Sequence, residues 1–251
     1  MEGSVTTSIH QRLATIAFFH PAHNSLPGYL LAELAKQIRA AGESNEVQVI
    51  LLKSGGDRTF CAGASFDELM TITNAEDGKK FFLGFANVIN AIRKCPKLVI
   101  GRVQGKTIGG GVGIAAAVDY CMASHFSSIK LSELALGIGP FVVGPAIERK
   151  IGVSAFSQLA INATEWQTAS WAKERGLYNE VFESVDQLDK YIDHFIEKLV
   201  SSSPMALLSL KQILWSGTEN WDHLLDERAT TSGRLVITTA AQQAIKAARI
   251  A

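Results

Sequence analysis

Strand–helix alternation over most of the chain, followed by a helical stretch, predicts an α/β domain of about 190 residues with a smaller helical end. Three observations carry this reading. Val47–Leu52 and Leu98–Val103 are short apolar runs rich in β-branched residues, the signature of strands buried on both faces. The segments between such runs space their apolar residues at helical intervals. From Val185 onward the pattern is helical, with a break at Ser201–Pro204. The expected division is therefore a core over 1–190 and a helical region over 191–251.

The elements follow in order. Ser4–Phe19 alternates loosely among β-branched and aromatic residues and reads as a strand hairpin. His20-Pro-Ala-His-Asn-Ser25 breaks it. Pro27 opens a helix whose Leu30, Leu31, Leu34 and Ile38 share one face, and Gly42 stops it. Val47–Leu52 is a strand between Asn45 and Gly55-Gly56. A helix starts within Asp67–Thr73. Gly78–Lys94 is a stronger helix, with Phe81, Phe82, Phe85, Val88, Ile89 and Ile92 on a broad apolar stripe, ended by Pro96. After the strand Leu98–Val103, the small residues from Gly109 to Ala117 suit a helix packed closely on a sheet. Asp119–Ala123 and Ser128–Leu131 are short strands. Val153–Ile161 and Glu165–Arg175 are helices, the second ended by Gly176, and Tyr178–Phe182 is a last strand.

Composition excludes several classes of protein. The chain has 251 residues, 47% hydrophobic and 19% charged, enough to bury a substantial core and too apolar for a disordered chain. Lys plus Arg is 24 and Asp plus Glu is 24, so no bulk charge draws the chain to nucleic acid or to anionic lipid. No apolar run reaches bilayer-spanning length, and Met-Glu-Gly-Ser-Val lacks the basic and hydrophobic regions of a signal peptide. Cys61, Cys95 and Cys121 form neither a C-x-x-C nor an even set, against a disulfide scaffold or zinc ribbon. The expectation is a cytoplasmic protein with no nucleic-acid partner, no membrane and no metal.

Familiar catalytic motifs fail on spacing. Gly105-Lys106-Thr107 resembles the end of a phosphate loop, but Ile100 stands where that loop needs glycine. Gly109-Gly-Gly-Val-Gly113 is not a dinucleotide fingerprint, because Ile114 takes the last glycine's place. Ser65 cannot be a nucleophile elbow with Asp67 two residues on. His20 and His23 sit in a Pro-containing loop with no acidic ligand near, and lone His125 reads as an edge or surface histidine.

Two glycine-rich turns remain, Phe60-Cys-Ala-Gly-Ala64 and Ile108-Gly-Gly-Gly111. Small residues at both, Ala62, Gly63 and Ala64 in one and Gly109 and Gly110 in the other, admit a ligand close to the backbone and leave N–H groups unshielded. The second turn also opens a helix, whose N-terminus favours negative charge. Two N–H donors aimed at one point form an oxyanion hole, each donor typically contributing about 2.7–4 kcal/mol in the transition state. Either turn alone reads first as a helix-packing bend.

Taken together, Phe60-Cys-Ala-Gly-Ala-Ser-Phe-Asp-Glu-Leu69, Lys97-Leu-Val-Ile-Gly-Arg-Val-Gln-Gly105, Ile108-Gly-Gly-Gly-Val-Gly-Ile-Ala-Ala-Ala-Val-Asp119 and Leu131-Ser-Glu-Leu-Ala-Leu-Gly137 resemble the crotonase (enoyl-CoA hydratase/isomerase) superfamily over roughly residues 10–185. The resemblance implies a spiral of repeated strand–strand–helix units and a C-terminal helical region that makes homotrimers or dimers of trimers. It implies an acyl-CoA thioester as substrate and no further cofactor. By position in these motifs, the oxyanion donors are the N–H groups of Ala64 and Gly110, and Glu133 is the catalytic carboxylate. Hydratases of the family carry a second glutamate where this chain has Gly113. Phe141 stands where the family usually has glycine, so its ring narrows or caps the acyl pocket or else joins the core. Ala62, Gly63, Gly109, Gly113 and Phe141 are the expected substrate-binding residues.

Further departures are Ser65 for the usual aspartate, Leu98 for the usual proline, and a tail lacking the family's terminal basic pattern, which removes one expected contact to the CoA phosphates. Lys106, Lys130, Arg149 and Lys150 are alternative phosphate partners or plain surface, and Asp119 reads as structural. Adding water across a conjugated double bond needs a base for the water and an acid for the α-carbon; a 1,3-proton shift needs one shuttle. The expected activity is hydration or dehydration of a short or branched, methylglutaconyl-like enoyl-CoA. The alternatives are a Δ3,Δ2-enoyl-CoA isomerase or a decarboxylase using Glu133 alone, and a catalytically idle CoA-binding protein.

Overall fold

Beyond its first hairpin the chain lays down its strands alternately in two sheets in the computed structural model, which describes residues 2–250. A hairpin of β1 (Ser4–His10) and β2 (Leu13–Phe19) leads into α1 (Gly28–Glu43). Three similar turns of chain follow. The first is β3 (Val49–Ser54), β4 (Thr59–Cys61), α2 (Phe66–Leu69) and α3 (Ala75–Lys94). The second is β5 (Leu98–Val103), β6 (Lys106–Ile108) and α4 (Gly110–Ala117). The third is β7 (Tyr120–Ser124), β8 (Ile129–Lys130) and α5 (Gly144–Ile161). After α6 (Ala169–Glu174) and β9 (Glu180–Phe182) come four helices, α7 (Val185–Val200), α8 (Pro204–Leu214), α9 (Trp221–Val236) and α10 (Thr239–Ile250).

Each turn gives one strand to a six-stranded sheet, ordered β1-β2-β3-β5-β7-β9, and one to a three-stranded sheet, ordered β4-β6-β8. All pairings except the first hairpin are parallel. This is the expected α/β spiral with a helical C-terminal region. The apolar runs of β3 and β5 are explained by burial on both faces. Ile50, Leu52 and Val99 join the main core under α1 and α3, while Val49, Leu51, Leu98 and Ile100 pack on Leu188, Ile192 and Ile196 of α7 and Leu207 of α8.

Several sequence expectations shift. The helix expected over Val153–Ile161 starts at Gly144, with a break at Gly152, where φ is +74°. That expected over Glu165–Arg175 shortens to α6, because Gln167 pairs with Ile129 as an isolated bridge. β4 and β6 are too short to show a periodicity and escape prediction. Helical tail breaks occur around Gly217 and Thr238 as well as at Ser201–Pro204. The expected division at residue 190 falls inside α7, and α9 packs along α3, with Gly78 and Gly233 in backbone contact.

Asp119, at the entry to β7, ties the tail to the core. Its Oδ2 accepts hydrogen bonds from Val99 N (2.7 Å) and Lys211 Nζ (2.6 Å), and its Oδ1 accepts from Trp215 Nε1 (2.7 Å). Lys211 also donates to the Ile92 carbonyl at 2.8 Å. Both charged side chains are buried, so each depends on the other for its solvation.

Candidate active site

The two glycine-rich turns lie side by side because β4 and β6 are parallel neighbours and each turn follows its strand. A Cβ placed on Gly63 would sit 3.1 Å from the Ile108 carbonyl and 3.6 Å from Gly110 N. One on Gly111 would lie 2.6 Å from Cys61 Cβ. Side chains at either position would push the turns apart. Gly63 has φ +86°, and Gly109 has φ +53° and ψ −117°, a conformation essentially reserved for glycine.

Buried polar side chains brace the first turn from behind. Asn24 Nδ2 donates to the carbonyls of Gly55 and Thr59, both at 2.8 Å. Gln104 Nε2 donates to Ser54 Oγ at 2.9 Å and reaches the Gly56 and Thr59 carbonyls. Ala62 N donates to the His23 carbonyl and Leu26 N to the Gly63 carbonyl. The Ala64 and Gly110 N–H groups have no acceptor among the described residues. Both line one cavity of about 50 Å³, together with Ala62, Gly63, Gly109, Glu133 and Phe141.

Glu133 enters that cavity from the turn after β8. Its carbonyl accepts from Leu136, Ile138 and Gly139 N, which pins the turn. Its carboxylate lies against the second glycine turn: a Cβ on Gly109 would be 2.8 Å from Glu133 Oε1. Although the residue is partly exposed, Oε2 is buried with no hydrogen-bond partner among the described residues. Burial pushes the carboxyl up from the ordinary 4.5 to about 7, only partly offset by a hydrogen bond from its own backbone N–H. A carboxyl held near neutrality is suited to taking and returning a proton.

Among the described residues, Glu133 is the single titratable side chain that lines the cavity. Cys61, beneath the turns, is fully buried and its thiol is pushed up to about 12, which leaves it inert as a nucleophile. Among the described residues no three His, Cys, Asp or Glu side chains cluster as metal ligands, and no helix is long and apolar enough to cross a membrane.

Gly113 is the one expected binding residue that does not line the cavity. It sits one helical turn inside α4, and a Cβ there would lie 2.4 Å from Val143 Cγ1. Val143 is the lining residue and occupies the space that a side chain at 113 would need. Introducing the missing carboxylate as Gly113→Glu is therefore expected to destabilise the fold by about 1–3 kcal/mol through overpacking, with no gain in turnover. Thermal unfolding of Gly113→Glu beside Gly113→Glu/Val143→Ala checks this, the second change relieving part of the loss.

Sequence reading missed much of the wall. Phe82 and Phe85 belong to the α3 stripe read as core, yet they also line the cavity; a Cβ on Gly110 would lie 2.1 Å from Phe85 Cε1. Ser232 comes from α9, and no local signal links it to turns more than a hundred residues earlier. Of the four basic candidates, Lys150 donates to the Asp119 carbonyl and Arg149 lies over the Trp215 ring. Lys106 and Lys130 flank the Trp166 ring, 5.2 and 4.8 Å from its centre.

A fold of two mainly parallel sheets wound in strand–strand–helix turns, with paired amides and a lone carboxylate in one cavity, agrees with what comparison with known proteins finds. The chain belongs to the enoyl-CoA hydratase/isomerase family, whose model matches residues 8–250. It is 29% identical to a peroxisomal Δ(3,5)-Δ(2,4)-dienoyl-CoA isomerase of Arabidopsis thaliana, over 98% of this chain and 95% of that one. It is 30% identical to a short-chain-enoyl-CoA hydratase of Clostridium acetobutylicum, over 83% of this chain and 79% of that one. In fold it is similar to the crystal structure of an enoyl-CoA hydratase from Bacillus halodurans, with a TM-score of 0.88 at 20% identity, covering 97% and 99% of the two chains.

Proposed function

We propose that the protein hydrates, and in reverse dehydrates, a short or branched 2-enoyl-CoA, using Glu133 as the one acid–base group and no cofactor beyond the CoA thioester. The observation that carries this reading is the Glu133 carboxylate, with Oε2 buried and unpartnered among the described residues, beside the Ala64 and Gly110 amides, which have no acceptor among them either.

The thioester carbonyl would accept from both amides. Glu133 takes a proton from water as the water oxygen bonds to C3. The π electrons move toward C1, and the carbonyl oxygen becomes an enolate held by the two N–H groups. The proton on Glu133 then passes to C2. One carboxyl thus delivers the elements of water to one face of the double bond, the proton it removed being the proton it returns. The cavity supports a short acyl group: at about 10–15 Å³ for each water-sized group, its volume of about 50 Å³ holds only a few such groups.

A second reading is favoured by Glu133 being the single titratable lining residue. In a 3-enoyl-CoA the same carboxylate would remove a C2 proton, the amides would hold the dienolate, and the proton would return at C4. Separate incubations of 2-enoyl-CoA and 3-enoyl-CoA, with products resolved chromatographically and read by mass spectrometry, distinguish the two. Hydroxyacyl product from the 2-enoyl substrate supports hydration; conversion of the 3-enoyl substrate without mass change supports isomerisation. Binding of acyl-CoA with no conversion of either defeats both and leaves a binding protein. Assembly into trimers or paired trimers through residues 191–251 is part of the same proposal and is read by mass in solution.

A further inference from the structure

Beyond the catalytic cavity lies a second, larger space. It has a volume of about 300 Å³, is open to solvent, and is lined chiefly by apolar groups including Leu134, Phe156, Ala160 and Ile161, with Glu148 and Arg228 among its polar residues. The two spaces share three wall residues, Gly139, Pro140 and Phe141. Of these only Phe141 has a large side chain that rotates about single bonds. Its ring lies on the Gly139 backbone: a Cβ there would be 2.5 Å from Phe141 Cζ. Gly139, with φ +70°, supplies the flat seat that any side chain would abolish. Phe141 is thus the one large rotatable side chain on the wall between a small site and a roomier apolar one.

We propose that Phe141 sets the upper limit of acyl-chain length, by separating the Glu133 cavity from an apolar chamber able to receive a longer tail. This rests on the acyl-CoA reading given above and names the residue that selects within that class. The occupant assigned to the chamber is the distal part of a straight acyl chain, because the chamber adjoins the Glu133 cavity along the shared wall and is lined mainly by apolar groups. Each methylene buried there would strengthen binding roughly three- to fourfold.

The test uses the full chain and measures affinity, which does not depend on turnover. Butanoyl-, octanoyl- and dodecanoyl-CoA are titrated calorimetrically into the wild type, Phe141→Ala, and Phe141→Ala/Ala160→Trp. Ala160 is on α5 in the outer chamber only, so tryptophan there blocks the chamber without entering the Glu133 cavity. The wild type is expected to gain little from the longer tails. Phe141→Ala is expected to bind dodecanoyl-CoA at least about tenfold more tightly than the wild type does, with butanoyl-CoA affected far less. Adding Ala160→Trp is expected to cancel that gain.

Should Phe141→Ala not fold, Phe141→Leu reads the same series, with a smaller extension. A flat profile in the folded variant, or a gain that Ala160→Trp leaves intact, overturns the proposal. So does a change of molecular mass on Ala160→Trp with no change in chain preference, which would make the chamber a surface between copies. If butanoyl-CoA binds and only the chain-length response is missing, the partition alone fails. If no acyl-CoA binds to the wild type, the acyl-CoA reading falls first.

Discussion

Replacing Glu133 by glutamine is expected to lower kcat by about 10²–10⁴-fold, the usual contribution of a positioned acid–base group, while raising stability at neutral pH. The two effects share one cause. Glu133 Oε2 is buried and has no partner among the described residues. The carboxyl is therefore pushed up from 4.5 to about 7 in the folded protein, while in the unfolded chain it ionises normally. Below about pH 4.5 both states hold the proton and the carboxyl costs nothing. As pH rises toward 7 the unfolded chain ionises first, so the wild type loses stability. Above the folded value the full cost is present, about 3 kcal/mol from a gap of this size. Glutamine carries no charge and escapes it. Unfolding midpoints of the two proteins should coincide near pH 4 and separate, with Glu133→Gln higher, above pH 7. The wild-type rate should rise with pH through about 7, as the carboxylate form accumulates, and the variant should lack that step. Unchanged turnover in Glu133→Gln would remove the residue from the mechanism.

The second large effect lies away from the chemistry. Lys211→Met is expected to destabilise the protein by about 3–5 kcal/mol, because it leaves Asp119 charged and buried without its counter-ion. For a chain of this size that lowers the unfolding temperature by roughly 6–20 °C. Asp119→Asn/Lys211→Met should recover most of the loss, since no unpaired charge remains and the asparagine oxygen can still accept from Val99 N or Trp215 Nε1, the present partners of Asp119. Turnover per folded molecule should hardly change, because neither residue lines the Glu133 cavity. Denaturant titration of the three variants against the wild type measures the coupling directly.

The stability result also bears on how the tail holds the site together. Lys211 and Trp215 clamp α8 and its C-terminal end to the start of β7, and α9, the helix after them, brings Ser232 to the cavity. Packing of α9 on α3 depends on Gly78 and Gly233, where an added Cβ at 78 would lie 2.8 Å from the other backbone. No pattern within either helix announces this approach, since a glycine inside a helix reads only as a local cost.

Much of the candidate site is legible in the sequence. The Phe60–Ala64 and Ile108–Gly111 turns stood out because closely approaching backbones need small residues, a requirement written locally. The buried strands Val47–Leu52 and Leu98–Val103 were legible for a similar reason: burial on both faces leaves an unbroken apolar run. Glu133 is a candidate by motif and order alone, and nothing in its neighbours shows that its Oε2 has no partner among the described residues.

What the sequence determined by itself was therefore whatever short-range sterics and burial write into consecutive residues: the α/β class, the helical end, the two glycine turns and the absence of glutamate at 113. Tertiary structure alone decided that Val143 fills the space beside Gly113, that Phe141 divides two cavities, and that a serine from α9 joins the wall. Those outcomes arise from contacts between segments distant in the chain. Space left or taken by such a partner depends on how the sheets and helices pack, and no single stretch of sequence encodes it.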